Sequence, residues 1–269
     1  MSILEKIVRA KQAELETLKA NNPVSSLERS EDYQSLPLSL EKALIDSAKH
    51  GIIAEFKKQS PSRGVINTSA LSREVCPQYL ESGASAVSVL TNKEFFGGCN
   101  EDLANARKVC SGPILRKEFI IDEYQVIESK SIGADAILLI ADILNKTQMK
   151  KLYSLASSLK MEVLFEIHDE SGIEKLPSGS KLIGINSRNL GNFNINMDIL
   201  NKTINRLPED SIKIAESGIQ SARKIIQLKK TGFTGFLVGE LFMKDNDPGS
   251  ACRRLIQDIR HQEALSAGN

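Results

Sequence analysis

The sequence predicts an α/β protein, a closed (β/α)8 barrel of the TIM class with an N-terminal helical extension. Three observations predict it. From Gly51 onward, short apolar runs alternate with helical patterns; a new run starts every 20 to 35 residues; and eight such runs fit within the 269 residues. Strand–helix alternation implies a parallel sheet, and eight units suit a barrel whose usual size is ~250 residues. The competing open, doubly wound sheet needs a glycine-rich fingerprint after its first strand. Here that strand is followed by Lys57-Lys58-Gln59-Ser60-Pro61-Ser62-Arg63-Gly64, which lacks one.

The elements follow in order. Ile3, Leu4, Ile7, Val8, Lys11, Leu15 and Leu18 recur at helical spacing until Asn21-Asn22-Pro23 stops them. A second helix is predicted over Ser39 to Lys49. Residues 1–50 thus read as an extension packed on the barrel, either over its mouth or against its outer helices, with residues 51–269 as the barrel and one domain overall. Strands are predicted to start near Gly51, Ala86, Ile114, Ala136, Glu162, Leu182, Lys213 and Gly235. Helical patterns between them cover Leu71 to Ser82, Glu101 to Cys110, Glu123 to Ile132, Thr147 to Leu159, Ala222 to Lys230 and Gly249 to Ile259.

Composition narrows the class. Hydrophobic residues make up 41%, enough for a large core, and the net charge is +1 from 35 basic and 34 acidic side chains. That balance argues against nucleic acid or a membrane surface as partner. No apolar run approaches the ~20 residues of a membrane span, and the first residues lack the pattern of a secretory signal. A cytoplasmic protein is expected. Cys76, Cys99, Cys110 and Cys252 are dispersed and read as reduced packing residues. His50, His168 and His261 show no metal-ligand spacing, so no metal is expected.

In such barrels the active site sits at the C-terminal strand ends. Strand 1 ends in Glu55 and Lys57, strand 3 in Lys117, strand 5 in Glu166, strand 6 in Asn186 and strand 7 in Glu216. Strands 2 and 4 end blandly. Inward side chains of one layer come from alternate strands, so the charges of the odd strands should converge at the mouth. Isolated buried charges are costly; such a set is either a structural ion-pair ring or is held for a ligand. Beside it, Glu216-Ser217-Gly218 and Val238-Gly239-Glu240 end strands 7 and 8, the usual phosphate loops of this architecture. Glycine at 218 and 239 lets the backbone approach a ligand.

These motifs together carry a resemblance. Ile53-Ala54-Glu55-Phe56-Lys57-Lys58-Gln59-Ser60-Pro61-Ser62-Arg63-Gly64, Phe95-Phe96-Gly97-Gly98, Leu115-Arg116-Lys117-Glu118-Phe119-Ile120-Ile121-Asp122, Glu166-Ile167-His168, Ile185-Asn186-Ser187-Arg188-Asn189-Leu190, Glu216-Ser217-Gly218-Ile219 and Leu237-Val238-Gly239-Glu240 resemble the indole-3-glycerol phosphate synthases of tryptophan biosynthesis. The resemblance spans the whole barrel. It implies a decarboxylating, dehydrating ring closure of 1-(2-carboxyphenylamino)-1-deoxyribulose 5-phosphate, with no cofactor.

By that resemblance Lys117 is the general acid, with Glu55 paired to it, and Glu166 is the base. Lys57 faces an anionic group, carboxylate or phosphate. Asn186 and Glu216 position hydroxyls and intermediates. Ser60, Ser217, Gly218, Gly239 and the Glu240 backbone hold the phosphate. Phe96 and Phe119 line the ring pocket, and Arg188, Leu190 and Leu237 complete the substrate-binding set. Glu118 departs from the family's usual aspartate, and Glu240 stands where some members have serine. The expected assembly is a monomer or weak homo-oligomer, with association with other tryptophan-pathway enzymes left open.

Residues outside the set have plainer readings. Lys58 is expected to be a solvated loop charge, and Tyr124 and Tyr153 to pack in helices. His168 stays open between a structural and a catalytic role. A phosphate-binding barrel isomerase, the main alternative enzyme, would need a cysteine or aspartate acid–base pair at strands 1 and 7. A barrel that binds a phosphorylated metabolite without turnover would not need Glu55, Lys117 and Glu166 together.

Overall fold

The apolar runs form eight parallel strands: β1 (Ile52–Phe56), β2 (Ala86–Leu90), β3 (Ile114–Lys117), β4 (Ala136–Ile140), β5 (Glu162–Ile167), β6 (Leu182–Asn186), β7 (Ile212–Glu216) and β8 (Gly235–Val238). The computed structural model describes residues 3–188 and 194–267. Each strand pairs with its sequence neighbours, and β1 closes on β8 through Ile52↔Phe236, Ile53↔Leu237 and Ala54↔Val238. The result is a closed barrel.

Strands with a covered face on both sides read as continuous apolar runs, and β1, β2 and β4 are buried at every position. Side chains alternate between two cores. Ile53, Leu115, Leu138, Leu164, Ile214 and Leu237 fill the barrel. Ile52, Ala54, Val87, Val89, Ile137, Leu139, Phe165 and Ile183 face the helices. The period of two that decides which core a residue enters also decides which polar residues reach the mouth.

Helices Ser72–Glu81, Asn100–Arg107, Glu123–Ser131, Lys146–Ser158, Asp198–Ile204, Ala222–Lys230 and Pro248–Ala267 ring the barrel, and a 3-10 turn, Glu170–Lys175, follows β5. Several starts are set by side-chain caps that satisfy free backbone N–H groups. Asp122 with Gln125 and Asn145 with Gln148 form capping boxes.

The extension runs from the mouth of the barrel to its floor. Its first helix, Ile3–Asn21, brings Ile7 into the cluster that contains Phe119, and Lys11 Nζ reaches Glu118 Oε2 at 3.1 Å, one residue beyond β3. Two four-residue helices, Val24–Leu27 and Glu31–Gln34, were not predicted, being too short to show a period. The expected Ser39–Lys49 helix is confined to Leu40–Ile45. Leu40 and Leu44 plug the barrel from below, while Ser39 Oγ and the Glu41 N–H bind the Glu162 carboxylate at the start of β5 (2.6 and 2.8 Å). Among the described residues no helix is long and apolar enough to cross a membrane.

Candidate active site

The charged strand ends meet at the mouth, with Glu55, Glu166 and Glu216 buried and Lys57 and Lys117 partly exposed. Lys117 Nζ lies 2.6 Å from Glu166 Oε2 and 2.5 Å from Glu216 Oε2, joining β3, β5 and β7. Asn186 Nδ2 donates to Glu166 Oε1 at 3.2 Å. Glu55 pairs instead with Lys57, at 2.5 Å. The predicted Lys117–Glu55 partnership is therefore corrected: Glu55 near the end of β1 and Lys57 just beyond it satisfy one another, and Lys117 takes its partners from across the barrel. Glu55 still acts on Lys117 through the field.

Two glycines make room for this constellation. A Cβ on Gly184 would stand 2.1 Å from Glu216 Oε1, and one on Gly239 would stand 2.5 Å from Glu55 Oε1. Gly239 is thus required by a carboxylate at its back, besides any ligand in front. Gly218 has φ +70°, next to Ser217 at φ 68°, a tight left-handed turn in which a non-glycine is uncommon.

The electrostatics follow from one ammonium serving two carboxylates. Burial alone would lower Lys117, but Glu166, Glu216 and Glu55 hold it well above the ordinary lysine value. Burial works to raise Glu166, yet Lys117 and His168 bring it down to about 2. Burial raises Glu216 to about 8, with Lys117 opposing and the Glu166 charge adding to the rise. Like charges this close do not both ionise readily, so Glu216 carries a proton near neutrality. Its Oε1 is buried without a hydrogen-bond partner.

The rest of the cavity divides by chemistry. Leu90, Leu138, Ile140 and Leu237 give it an apolar wall, closed by Phe96 and Phe119, whose ring centroids are 6.0 Å apart. The bland ends of β2 and β4 thus have a use. On the opposite side stand Ser60, Ser62, Arg188, Ser217, Gly218, Gly239 and Glu240. Arg188 Nη1 donates to Ser62 Oγ at 3.0 Å, and the Glu240 carboxylate bridges Arg63 Nε (3.0 Å) and Arg188 Nη2 (3.5 Å). The Glu240 carboxylate, expected not to serve the phosphate, is taken up by these two guanidinium groups. Leu190 lies outside the described residues.

Sequence reasoning missed the support behind Lys117. Arg116 points away from the barrel axis and pairs with Glu128 at 2.7 Å, while Glu118 accepts from Lys11, Thr91 Oγ1 (3.1 Å), Asn92 Nδ2 (3.3 Å) and the Phe119 N–H (2.8 Å). The only signal was parity: neighbours of an inward residue face outward. Lys58 was also misread. It donates to both carboxylate oxygens of Asp102 at 2.8 Å rather than standing in solvent. Tyr124 is buried, and Tyr153 packs on Phe165 as expected.

Comparison with known proteins agrees with this geometry. A sequence profile of indole-3-glycerol phosphate synthase matches residues 4–255. The indole-3-glycerol phosphate synthase of Bacteroides thetaiotaomicron is 40% identical over 258 residues, covering 96% of this chain and 99% of the relative. That of Campylobacter fetus subsp. fetus is 42% identical over 243 residues, covering 90% and 94%. Among solved structures, a chain of the tryptophan synthase complex of Pyrococcus furiosus superposes with a TM-score of 0.58 at 12% identity, covering 80% of this chain and 99% of that one, which shows the shared barrel fold alone. With the profile spanning barrel and extension together, the chain belongs to the indole-3-glycerol phosphate synthase family.

Proposed function

We propose that the protein closes the indole ring of 1-(2-carboxyphenylamino)-1-deoxyribulose 5-phosphate, releasing CO2 and water to give indole-3-glycerol phosphate in tryptophan biosynthesis. The observation that carries this reading is Lys117, a buried ammonium gripped by Glu166 and Glu216 between an apolar, phenylalanine-lined wall and a cationic rim. The wall suits the anthranilate ring. The rim suits the phosphate.

Ring closure needs an electrophilic ketone. Lys117 gives the ketone oxygen a proton as the ring carbon attacks, and general acid catalysis of this kind contributes ~10²–10⁴-fold. A lysine held well above its ordinary value is a poor acid, so the substrate oxygen must replace a carboxylate in its shell before transfer. Loss of CO2 restores the ring electrons. The hydroxyl then leaves as water, taking its second proton from Glu216, and Glu166 takes the remaining ring proton as base. Asn186, bonded to Glu166, orients it. Glu216, protonated near neutrality, is the donor placed beside the leaving hydroxyl in this reading.

With Glu216 protonated, Lys57, Lys117, Arg188 and Lys244 balance Glu55, Glu118, Glu166 and Glu240 around the cavity, and Arg63 on the rim adds one further cation on the side proposed for the phosphate. Ser60, Ser217, Gly218 and the backbone at Gly239 and Glu240 take the phosphate in this reading. Lys57 and Arg188 serve the second anionic group.

The test is to incubate the purified protein with this substrate and follow indole fluorescence. Folded protein that generates no indole signal would remove the proposal.

A further inference from the structure

His168 lies one inward position beyond Glu166, above it at the mouth, and its side chain is 9% exposed. It does not line the cavity; it stands behind the proposed base. Its Nε2 is 3.4 Å from Glu166 Oε1 and its Nδ1 is 3.2 Å from Asp142 Oδ2, just beyond β4. Both ring nitrogens are buried, and neither makes an aligned hydrogen bond. A neutral imidazole so placed would leave two polar atoms poorly satisfied, which is costly. An imidazolium satisfies both by charge, forming an ion pair on each side.

We propose that His168 is a positioning residue that, anchored by Asp142, holds the Glu166 carboxylate as an anion in place while Lys117 is engaged with substrate. The inference rests on the ring-closure reading and assigns the group that reading leaves without a role. Lys117 pairs with Glu166 and neutralises it. When Lys117 turns to the ketone oxygen, Glu166 loses that partner, yet it must stay ionised until the last proton is removed. His168 is the second cation in reach.

The surroundings favour the charged ring. Burial opposes it, but Asp142 and Glu166 raise His168 above the ordinary histidine value; Glu216 adds to this only at the pH where it ionises. The facing groups are Asp142 from the β4 end, Glu166 on its own strand, Glu216 from β7 and Lys117 from β3. Asp169 adjoins it in sequence. Lys175, from the 3-10 turn, caps the Ala141 carbonyl beside Asp142 at 2.6 Å. Carboxylates predominate.

The experiment compares wild type, His168→Gln and Asp142→Asn for the pH dependence of kcat and KM, alongside NMR titration of the histidine rings in the free protein. Only three histidines contribute to those spectra. Without the imidazolium, Glu166 takes up a proton more readily. The acid limb of kcat should move to higher pH by about one unit in His168→Gln, as for a carboxylate losing a close opposite charge, and by less in Asp142→Asn. KM should change about twofold or less. The His168 ring should stay protonated above pH ~6.5 in wild type and titrate lower in Asp142→Asn. An unmoved acid limb, or a ring neutral at pH 6, overturns the proposal. If His168→Gln does not fold, Asp142→Asn and the wild-type titration decide it. Wild type without turnover would sink the ring-closure reading instead, and the ring titration would still judge the charge on His168.

Discussion

Gly184 on β6 and Glu216 on β7 compete for one volume of the barrel interior: a side chain at 184 would begin 2.1 Å from Glu216 Oε1 and 3.3 Å from Leu164 Cδ1. Gly184→Ala therefore pushes Glu216 off Lys117. Overpacking of this kind costs about 1–3 kcal/mol, and displacing a catalytic group by ~1 Å can cost 10²-fold in rate. We expect a folded, mildly destabilised variant with kcat down by roughly that factor. Undiminished turnover would show that the barrel yields without moving Glu216.

Lys117→Met should cut kcat by ~10²–10⁴ while the circular dichroism spectrum stays native. The variant folds because Glu166 and Glu216, left without their ammonium, can share a proton. If Lys117 only tied the mouth together, turnover would survive and thermal stability would fall; activity and melting curves separate the two.

Glu216 sets an alkaline limit. With its carboxyl raised to about 8, it is protonated below that pH and ionises above it, adding a second negative charge beside Glu166 where an anionic substrate must enter. The pH profile of kcat/KM, which reports groups of the free enzyme, should fall above pH ~8 in wild type. Glu216→Gln keeps the neutral form and should remove that limb, with a smaller loss at neutral pH than Glu166→Gln. A limb unchanged in Glu216→Gln would assign it to another group.

Glu240 holds both guanidinium groups of the rim. Glu240→Ser frees Arg63 and Arg188 and removes a negative charge from the anion side. We expect KM to fall several-fold with kcat nearly unchanged, because this is binding shared by ground and transition states. A raised KM would mean that the bridge is needed to orient the arginines.

Lys11 and Glu118 form a buried pair, 4% and 2% exposed. Lys11→Met leaves the carboxylate with only Thr91, Asn92 and the Phe119 N–H. Breaking a buried pair from one side costs about 3–5 kcal/mol; the remaining hydrogen bonds point to the lower figure. Urea denaturation measures it, and adding Glu118→Gln should recover part of the loss. No recovery would place the role of Lys11 elsewhere, in its contact with Glu14 at 2.6 Å.

What could be read in the sequence was what has a period or a fixed place. The eight strands, and the inward direction of Glu55, Lys117, Glu166 and Glu216, follow from alternation along apolar runs. Which of these charges pair does not follow, because pairing depends on distances across the barrel; Lys117 meets β5 and β7 rather than β1. Arg116 and Glu118 look like an ordinary charged strand end until Glu128 and Lys11 are seen opposite them. Gly184 resembles any glycine in a strand until Glu216 is placed against it. The two short helices of the extension have too few residues to display a pattern.

The docking of the first helix has a consequence for how the protein is made. Lys11 is synthesised 107 residues before Glu118. At ~5–20 residues per second, the ribosome delivers the partner roughly 5 to 20 s later. Throughout that interval the helix has its apolar stripe of Ile7 and Leu15, and a Lys11 ammonium with only Glu14 of the same helix beside it, but no seat. This helix therefore waits for β3 and the strands around it. A nascent chain halted before residue 118 should expose this helix to chaperones and proteases.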